Sequence, residues 1–182
     1  MELYHDHYYH LYNRSNNNEI VFKSPENYLY FLINYRKYLE NDLNTIAYCL
    51  MPTHFHFLAM VRADDTTRIK KNLGILLSSY TKAVNVQFAR HGSLFQQHTR
   101  SRHIDDERYL LNLVTYIHQN PLRARLVRTL EDWEFSSYRD YIGLRNGTSP
   151  KTQLVLSYFS SVEEFKEYSN VMLESIEKKY WV

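Results

Sequence analysis

The pattern of apolar and polar positions divides the chain into alternating strand-like and helix-like segments. Short tyrosine-rich or apolar runs, bounded by turn residues, predict strands over residues 7–14, 45–50, 54–61 and 93–104. The break at Met51–Thr53 separates the second run from the third, so we expect these two strands to pair as a hairpin.

Helices are predicted between and after these strands. Ser24 serves as the cap of the first helix and Pro25 occupies its first turn. Because Pro121 disfavours helical geometry in the residue before it, we expect the third helix to end at Asn120. The predicted helices cover residues 25–41, 64–88, 105–120, 137–144, 152–158 and 163–179.

The order of these elements is β-α-β-β-α-β, followed by helices. This order predicts an α+β fold with an antiparallel sheet that has helices on one face, as in ferredoxin-like (RRM-like) domains. The chain has 182 residues, which suits one compact domain with an extension. We predict a domain over residues 1–145 and a C-terminal helical extension over residues 146–182.

Composition is that of an ordinary soluble globular protein, with 44% hydrophobic and 23% charged residues. The single cysteine, Cys49, lies in an apolar run, which favours a buried thiol in a reducing, cytoplasmic compartment. No apolar run reaches the roughly 18 residues that span a bilayer, and the N-terminus lacks a signal-peptide core. We therefore expect no membrane association.

The formal net charge of +2 does not by itself indicate a nucleic-acid partner. The charge is unevenly distributed, however, because residues 90–103 contain three arginines, three histidines and no acid. The 17 tyrosines offer stacking faces for unpaired bases, although core packing explains most of them equally well.

His54 and His56 lie two residues apart on a predicted strand. Such side chains point to one face, roughly 6–7 Å apart along the chain, so two imidazoles can converge on one metal ion. From these residues alone, a pair of hydrogen-bonded structural histidines is the commoner explanation. A second pair, His5 and His7, lies near the chain end and is expected to be a surface feature.

Tyr116 and Asn120 lie four residues apart on a predicted helix and share one of its faces. That face offers a phenol nucleophile beside an amide oxygen ligand. A tyrosine hydroxyl has an ordinary pKa of about 10, so it needs activation to act as a nucleophile at neutral pH. A divalent cation bound to the target phosphate would help by making the phosphorus a better electrophile. A packed core tyrosine remains the alternative. His118 faces away, and we expect it to support the following turn.

Five short segments match a known family in order and at suitable distances. Through these segments the chain resembles the REP-associated tyrosine transposases, which belong to the single-tyrosine HUH transposase superfamily. The resemblance covers most of residues 8–142. Departures from the usual pattern, such as Thr53 where asparagine is common, affect the expected DNA sequence preference. The matching segments are Tyr9–Arg14, Met51–His56, Leu94–Gln97, Tyr116–Pro121 and Phe135–Tyr138.

The resemblance implies an HUH endonuclease domain that cleaves and rejoins single-stranded DNA near hairpins through a covalent 5'-phosphotyrosine. It implies that Tyr116 is the nucleophile and that His54 and His56 bind Mg²⁺ or Mn²⁺. Asn120 falls where a related transposase group has a glutamine ligand, so the third ligand position is assigned to it. The residues predicted to contact DNA are Asn13, Arg14, Arg100 and Arg102.

Two other functions stay open on the sequence alone. One is a DNA-hairpin-binding protein of transposase ancestry that mobilises nothing. The other is a metal-dependent phosphohydrolase that uses water, for which Tyr116 would be dispensable. The sequence also leaves open whether the chain is a monomer or a homodimer, and which subunit's tyrosine serves which site.

Overall fold

The elements of the structure, a computed structural model that describes residues 2–171, follow the predicted order. The strands and helices are β1 (Tyr8–Arg14), α1 (Pro25–Leu39), β2 (Leu43–Met51), β3 (His54–Val61), α2 (Thr67–Gln87), β4 (Arg100–Ile104), α3 (Glu107–Arg123), α4 (Tyr138–Tyr141), α5 (Gln153–Leu156) and α6 (Val162–Asn170). Two single 3₁₀ turns, Asn16–Asn18 and Leu130–Asp132, lie in the connections.

The four strands form one antiparallel sheet in the order β2-β3-β1-β4. This order and the helices that connect the strands confirm the predicted α+β, ferredoxin-like fold. The outer edge of β2 is covered by the segment before α4, since Leu50 donates its N–H to the Phe135 carbonyl and Ser137 donates to Tyr48. Strand β1 is central, and its partners β3 and β4 carry most of the candidate site.

Alternate residues of the sheet enter two separate cores. On one face, Phe55 packs with Phe31 of α1, and Tyr80 of α2 packs with Phe31 in the same core, so these two helices share a face as predicted. On the opposite face, Leu58 belongs to the core of α3. Helix α3 adds this layer because its apolar stripe has to be buried against another surface.

Two predicted boundaries were wrong. The strand predicted over residues 93–104 is regular only from Arg100, because the adjacent residues Leu94 and Phe95 both enter the α1–α2 core, which an alternating strand does not allow. Helix α3 continues past Asn120 to Arg123, with Pro121 inside its last turn. Pro121 there removes a single helical hydrogen bond, so the helix tolerates it.

The C-terminal part packs on the same layer as α3. Val155 of α5 and Phe165 of α6 are buried in the α3 core. The final predicted helix begins as expected at Val162, but its predicted continuation beyond residue 171 lies outside the described residues. The division of the chain at residue 145 stays a prediction.

Cys49 is fully buried and forms no disulfide, as predicted. Among residues 2–171, no helix combines the length and the apolar character that a bilayer crossing needs.

Candidate active site

The candidate site lies where β1, β3 and α3 meet. Residues that pair directly across antiparallel strands share a face, so the pairing of Tyr12 with His56 and of Arg14 with His54 places these four side chains on one surface. Helix α3 lies over this surface and brings Tyr116 to His56, with ring centroids 5.7 Å apart. The structure therefore brings the predicted nucleophile and the predicted histidine pair together.

His54 and His56 are arranged at right angles, with ring centroids 5.1 Å apart. The Nδ1 of His54 lies 3.0 Å from the Thr53 hydroxyl, which leaves its other ring nitrogen for the site. Burial lowers the pKa of His54 to about 4, the hydrogen bond with Asn120 opposes this shift, and the nearby Arg14 cation adds to it. The neutral ring keeps the lone pair that a metal ion requires.

His56 is completely buried and has a second histidine as its partner. Its Nδ1 lies 2.8 Å from Nε2 of His10, and the two rings are nearly parallel at 5.0 Å between centroids. Burial holds the pKa of His56 well below its ordinary value, and the neighbouring His10 and His54 lower it further. Its remaining nitrogen, Nε2, has no hydrogen-bond partner among the described residues.

Tyr116 is 8% exposed and is surrounded by groups that act on its hydroxyl. Burial raises its pKa above the ordinary value, while the Arg123 cation and a hydrogen bond with Asn120 lower it. The Arg123 guanidinium lies 5.9 Å from the centroid of the Tyr116 ring. Gln119 holds that guanidinium through its Oε1, at 3.1 and 3.2 Å. The hydroxyl is therefore protonated near neutral pH and has a cation close by.

The residues present fit a divalent metal ion. Within residues 2–171, no group of three or more histidine, cysteine, aspartate or glutamate side chains is arranged to hold one, so a centre here would depend on two imidazoles and the Asn120 amide oxygen. The buried Nε2 of His56, which lacks a partner in the described part of the chain, is the clearest vacant donor. Mixed nitrogen and oxygen donors suit Mn²⁺ better than Mg²⁺, which prefers oxygen.

Comparisons with known proteins agree with this geometry. No protein-family model matches the chain. A curated protein of Haemophilus influenzae, named as a REP-associated tyrosine transposase, is 28% identical over 104 residues, which cover 52% of this chain and 58% of that protein. This chain is similar to the REP-associated tyrosine transposases. The resemblance inferred from the five sequence segments is thereby confirmed.

A solved structure of a REP-associated tyrosine transposase shares the fold. It is described as bound to a REP hairpin, and it matches this chain with a TM-score of 0.63 at 16% identity, over 79% of this chain and 83% of its own. At this level of identity the match establishes the fold alone.

Three of the four residues predicted to contact DNA lie on the same face as the histidines. Arg100 pairs with Tyr12, and Arg102 pairs with His10. Arg100 is exposed, and the Arg102 guanidinium lies 5.8 Å from the Tyr109 ring. Arg14 is half-buried, and its guanidinium donates to the Asn18 side chain at 2.5 Å. Together they form a cationic border beside the candidate site.

Asn13, the fourth predicted DNA contact, points to the other face and is 3% exposed. Its amide nitrogen lies 3.2 Å from both the Gln96 carbonyl and the Thr99 hydroxyl. Its amide oxygen accepts the Arg14 backbone N–H at 2.7 Å. The amide thus fixes the loop that leads to β4, and direct contact of Asn13 with DNA stays a prediction.

Sequence reasoning assigned no role to His10 or Arg123, although both lie in the site. The two-residue period of β1 places His10 on the face of Tyr12, but its contact with His56 depends on strand pairing across 46 residues. His118 was expected to support the turn after its helix, but its Nε2 lies instead 2.8 Å from the Ser137 hydroxyl, in the segment before α4. His5 and His7 are exposed, as predicted.

Proposed function

We propose that this chain is a metal-dependent single-stranded DNA endonuclease and strand transferase that acts near DNA hairpins. In this proposal Tyr116 forms a covalent 5'-phosphotyrosine, and Mg²⁺ or Mn²⁺ is held by His54, His56 and Asn120. The main support is geometric: the Tyr116 ring lies 5.7 Å from the His56 ring, and the His56 ring lies 5.1 Å from that of His54. The nucleophile and the candidate ligands therefore converge in a chain related to tyrosine transposases.

The proposed cleavage is a transfer of phosphorus from one oxygen to another. The Tyr116 oxygen bonds to phosphorus as the bond to the 3' oxygen breaks, and the proton lost by the phenol is balanced by one gained at the 3' hydroxyl. A bound divalent cation would polarise the phosphate. Arg123 stabilises the negative charge that develops on the phenol oxygen. Because the phosphotyrosine conserves the energy of the broken bond, rejoining needs no ATP.

The proposed substrate is single-stranded DNA that bears imperfect hairpins and is cut near the hairpin foot. The relative of known structure is described as bound to a REP hairpin. On this chain, Arg14, Arg100 and Arg102 offer positive charge to phosphates beside the site. Tyr12, which pairs with both His56 and Arg100, offers a face for base stacking.

The test is a denaturing gel of the protein incubated with Mn²⁺ and labelled single-stranded hairpin DNA from the sequence that flanks its gene. The variants are Tyr116→Phe and the double variant His54→Ala/His56→Ala. Tyr30→Phe, on α1 and remote from the site, is the matched control. We expect a protein–DNA band that resists denaturation in the wild type and the control only.

Other outcomes favour the other functions. Cleavage that persists in Tyr116→Phe and leaves no DNA on the protein would identify a phosphohydrolase that uses water. Hairpin binding by every variant, with no cleavage by the wild type, would identify a hairpin-binding protein of transposase ancestry.

A further inference from the structure

We propose that His10 is a positioning residue that directs His56 toward the divalent cation. The inference rests on the proposed function, since it concerns the metal ion of that site. It starts from the contact between His10 Nε2 and His56 Nδ1, which are 2.8 Å apart with both side chains at most 1% exposed. No other ring nitrogen of the site has so close a partner among the described residues.

A hydrogen bond between two neutral imidazoles contains one hydrogen, which either ring can donate, so two arrangements exist. In the first, His56 Nδ1 carries the hydrogen and donates it to His10 Nε2, and the lone pair of His56 Nε2 is free. In the second, His10 donates, and the hydrogen of His56 is then on Nε2. Only the first arrangement allows His56 to bind a cation through Nε2.

The packing around the pair favours a fixed geometry. The rings of His10 and His56 meet edge to edge with 18° between their planes, and Tyr12 packs against His10 with 4.7 Å between ring centroids. His10 Nδ1 and His56 Nε2 both lack hydrogen-bond partners within residues 2–171. In the first arrangement, a cation at Nε2 satisfies the His56 nitrogen, which makes metal binding and the choice of tautomer mutually dependent.

The first measurement is the affinity of the protein for Mn²⁺ by calorimetry. His10→Phe keeps a ring but removes the acceptor nitrogen, and it is expected to weaken binding about 10- to 100-fold. His10→Gln places an amide oxygen near the position of Nε2 and is expected to bind more tightly than His10→Phe. Thermal unfolding without metal establishes that both variants fold.

The second measurement identifies the ring nitrogens that carry hydrogen. Long-range ¹H–¹⁵N correlation spectra of the wild type, saturated with the diamagnetic ion Mg²⁺, are expected to show the hydrogen of His56 on Nδ1 and that of His10 also on Nδ1. A hydrogen on His10 Nε2 would overturn the proposal. This readout applies even if His10→Phe does not fold.

The affinity data separate this inference from the proposed function. A wild-type affinity for Mn²⁺ in His10→Phe would overturn the inference and leave the proposed function standing. An equal loss of Mn²⁺ affinity in His10→Phe and His10→Gln would do the same, because the loss would then not depend on the acceptor atom. A wild type that binds neither Mn²⁺ nor Mg²⁺ overturns the metal-dependent function and the inference with it. Weaker binding by His10→Phe with recovery in His10→Gln supports the inference.

Discussion

Asn120 has two hydrogen-bonding groups, and helix α3 occupies one of them. Its Nδ2 donates to the backbone carbonyl of Tyr116 at 2.8 Å, one helical turn earlier. That bond orients the amide, and the Asn120 side chain also raises the pKa of the His54 ring against the effect of burial. In the proposed metal centre, the Asn120 oxygen would take the ligand position that the two imidazoles leave open.

Replacing Asn120 tests the assigned third ligand. Asn120→Leu removes the oxygen at similar volume, and we expect Mn²⁺ affinity to fall by at least about tenfold. Asn120→Asp keeps an oxygen and adds a negative charge, so it is expected to retain binding. Calorimetry measures both variants. Wild-type Mn²⁺ affinity in Asn120→Leu would show that the amide is not a ligand.

Two buried histidines predict how stability depends on pH. Burial lowers the pKa of His10 and of His118 to about 3 from an ordinary value of 6.5. Between these values the unfolded chain binds more protons than the folded chain. The free energy of unfolding should therefore fall as pH decreases from about 6.5, by about 1.4 kcal/mol per pH unit for each histidine.

Urea unfolding at pH 7, 6 and 5 checks this dependence, and His118→Gln serves as the comparison. The variant should lose one titrating group, so its stability should vary less steeply with pH than that of the wild type. Equal slopes in the two proteins would show that folding does not lower the pKa of His118.

At the scale of elements, β4 is the strand that extends the cationic border away from the histidines. Arg100 and Arg102 lie on the sheet face that carries His10 and Tyr12, while Ser101 between them lies on the opposite face. Contacts from such arginines to phosphates release counterions, which makes binding depend on salt concentration.

Arg100→Gln and Arg102→Gln should each weaken hairpin binding and lower the salt-dependence slope by about one. Fluorescence anisotropy with labelled hairpin DNA at several KCl concentrations measures both quantities. Arg36→Gln, on α1 at the opposite face of the sheet, is the matched control and should change neither. Unchanged slopes in both β4 variants would remove this strand from the DNA-binding surface.

The sequence predicted element type well and element ends less well. The hairpin around Met51–Thr53 and the helix start at Ser24 and Pro25 are local signals. The structure contains both elements, although the Ser24 side chain makes no capping hydrogen bond. Whether α3 ends at Asn120 depends on the cost of the one helical hydrogen bond lost at Pro121 relative to the packing of the last turn. Sequence patterns alone do not give that packing. The segment around Leu94 resembled a strand in composition, but its side chains enter one core together.

The candidate site could be predicted only in part, for a related reason. His54 and His56 share a face by simple alternation, and Tyr116 and Asn120 share one by helical spacing. That the two faces meet was implied by the family resemblance and not by either spacing. The role of His10 could not be predicted, because the register between β1 and β3 brings its ring to His56. A single sequence does not give that register.

At the scale of the whole molecule, the layer formed by α3 places Tyr116 over the histidines of the same chain. The Tyr116 and His56 rings are 5.7 Å apart without any exchange of helices between subunits. A homodimer stays a prediction, and in the proposed function one chain would supply both the tyrosine and the histidines of a site.

Mixing two inactive variants tests this arrangement. Tyr116→Phe lacks the nucleophile, and His54→Ala/His56→Ala lacks the imidazoles, so a mixture should remain inactive if each chain uses its own tyrosine. The cleavage assay on a denaturing gel measures the mixture against each variant alone. Restored cleavage would instead show that α3 serves the site of a partner subunit.

In the proposed function Tyr116 becomes covalently attached to DNA, and mass spectrometry can detect this bond. Wild-type protein is incubated with hairpin DNA and Mn²⁺, denatured, digested with nuclease and protease, and analysed by tandem mass spectrometry. We expect a nucleotide phosphate on the Tyr116 side chain, absent when Mn²⁺ is omitted. DNA cleaved in the same sample with Tyr116 unmodified, or with the phosphate on another residue, would contradict it.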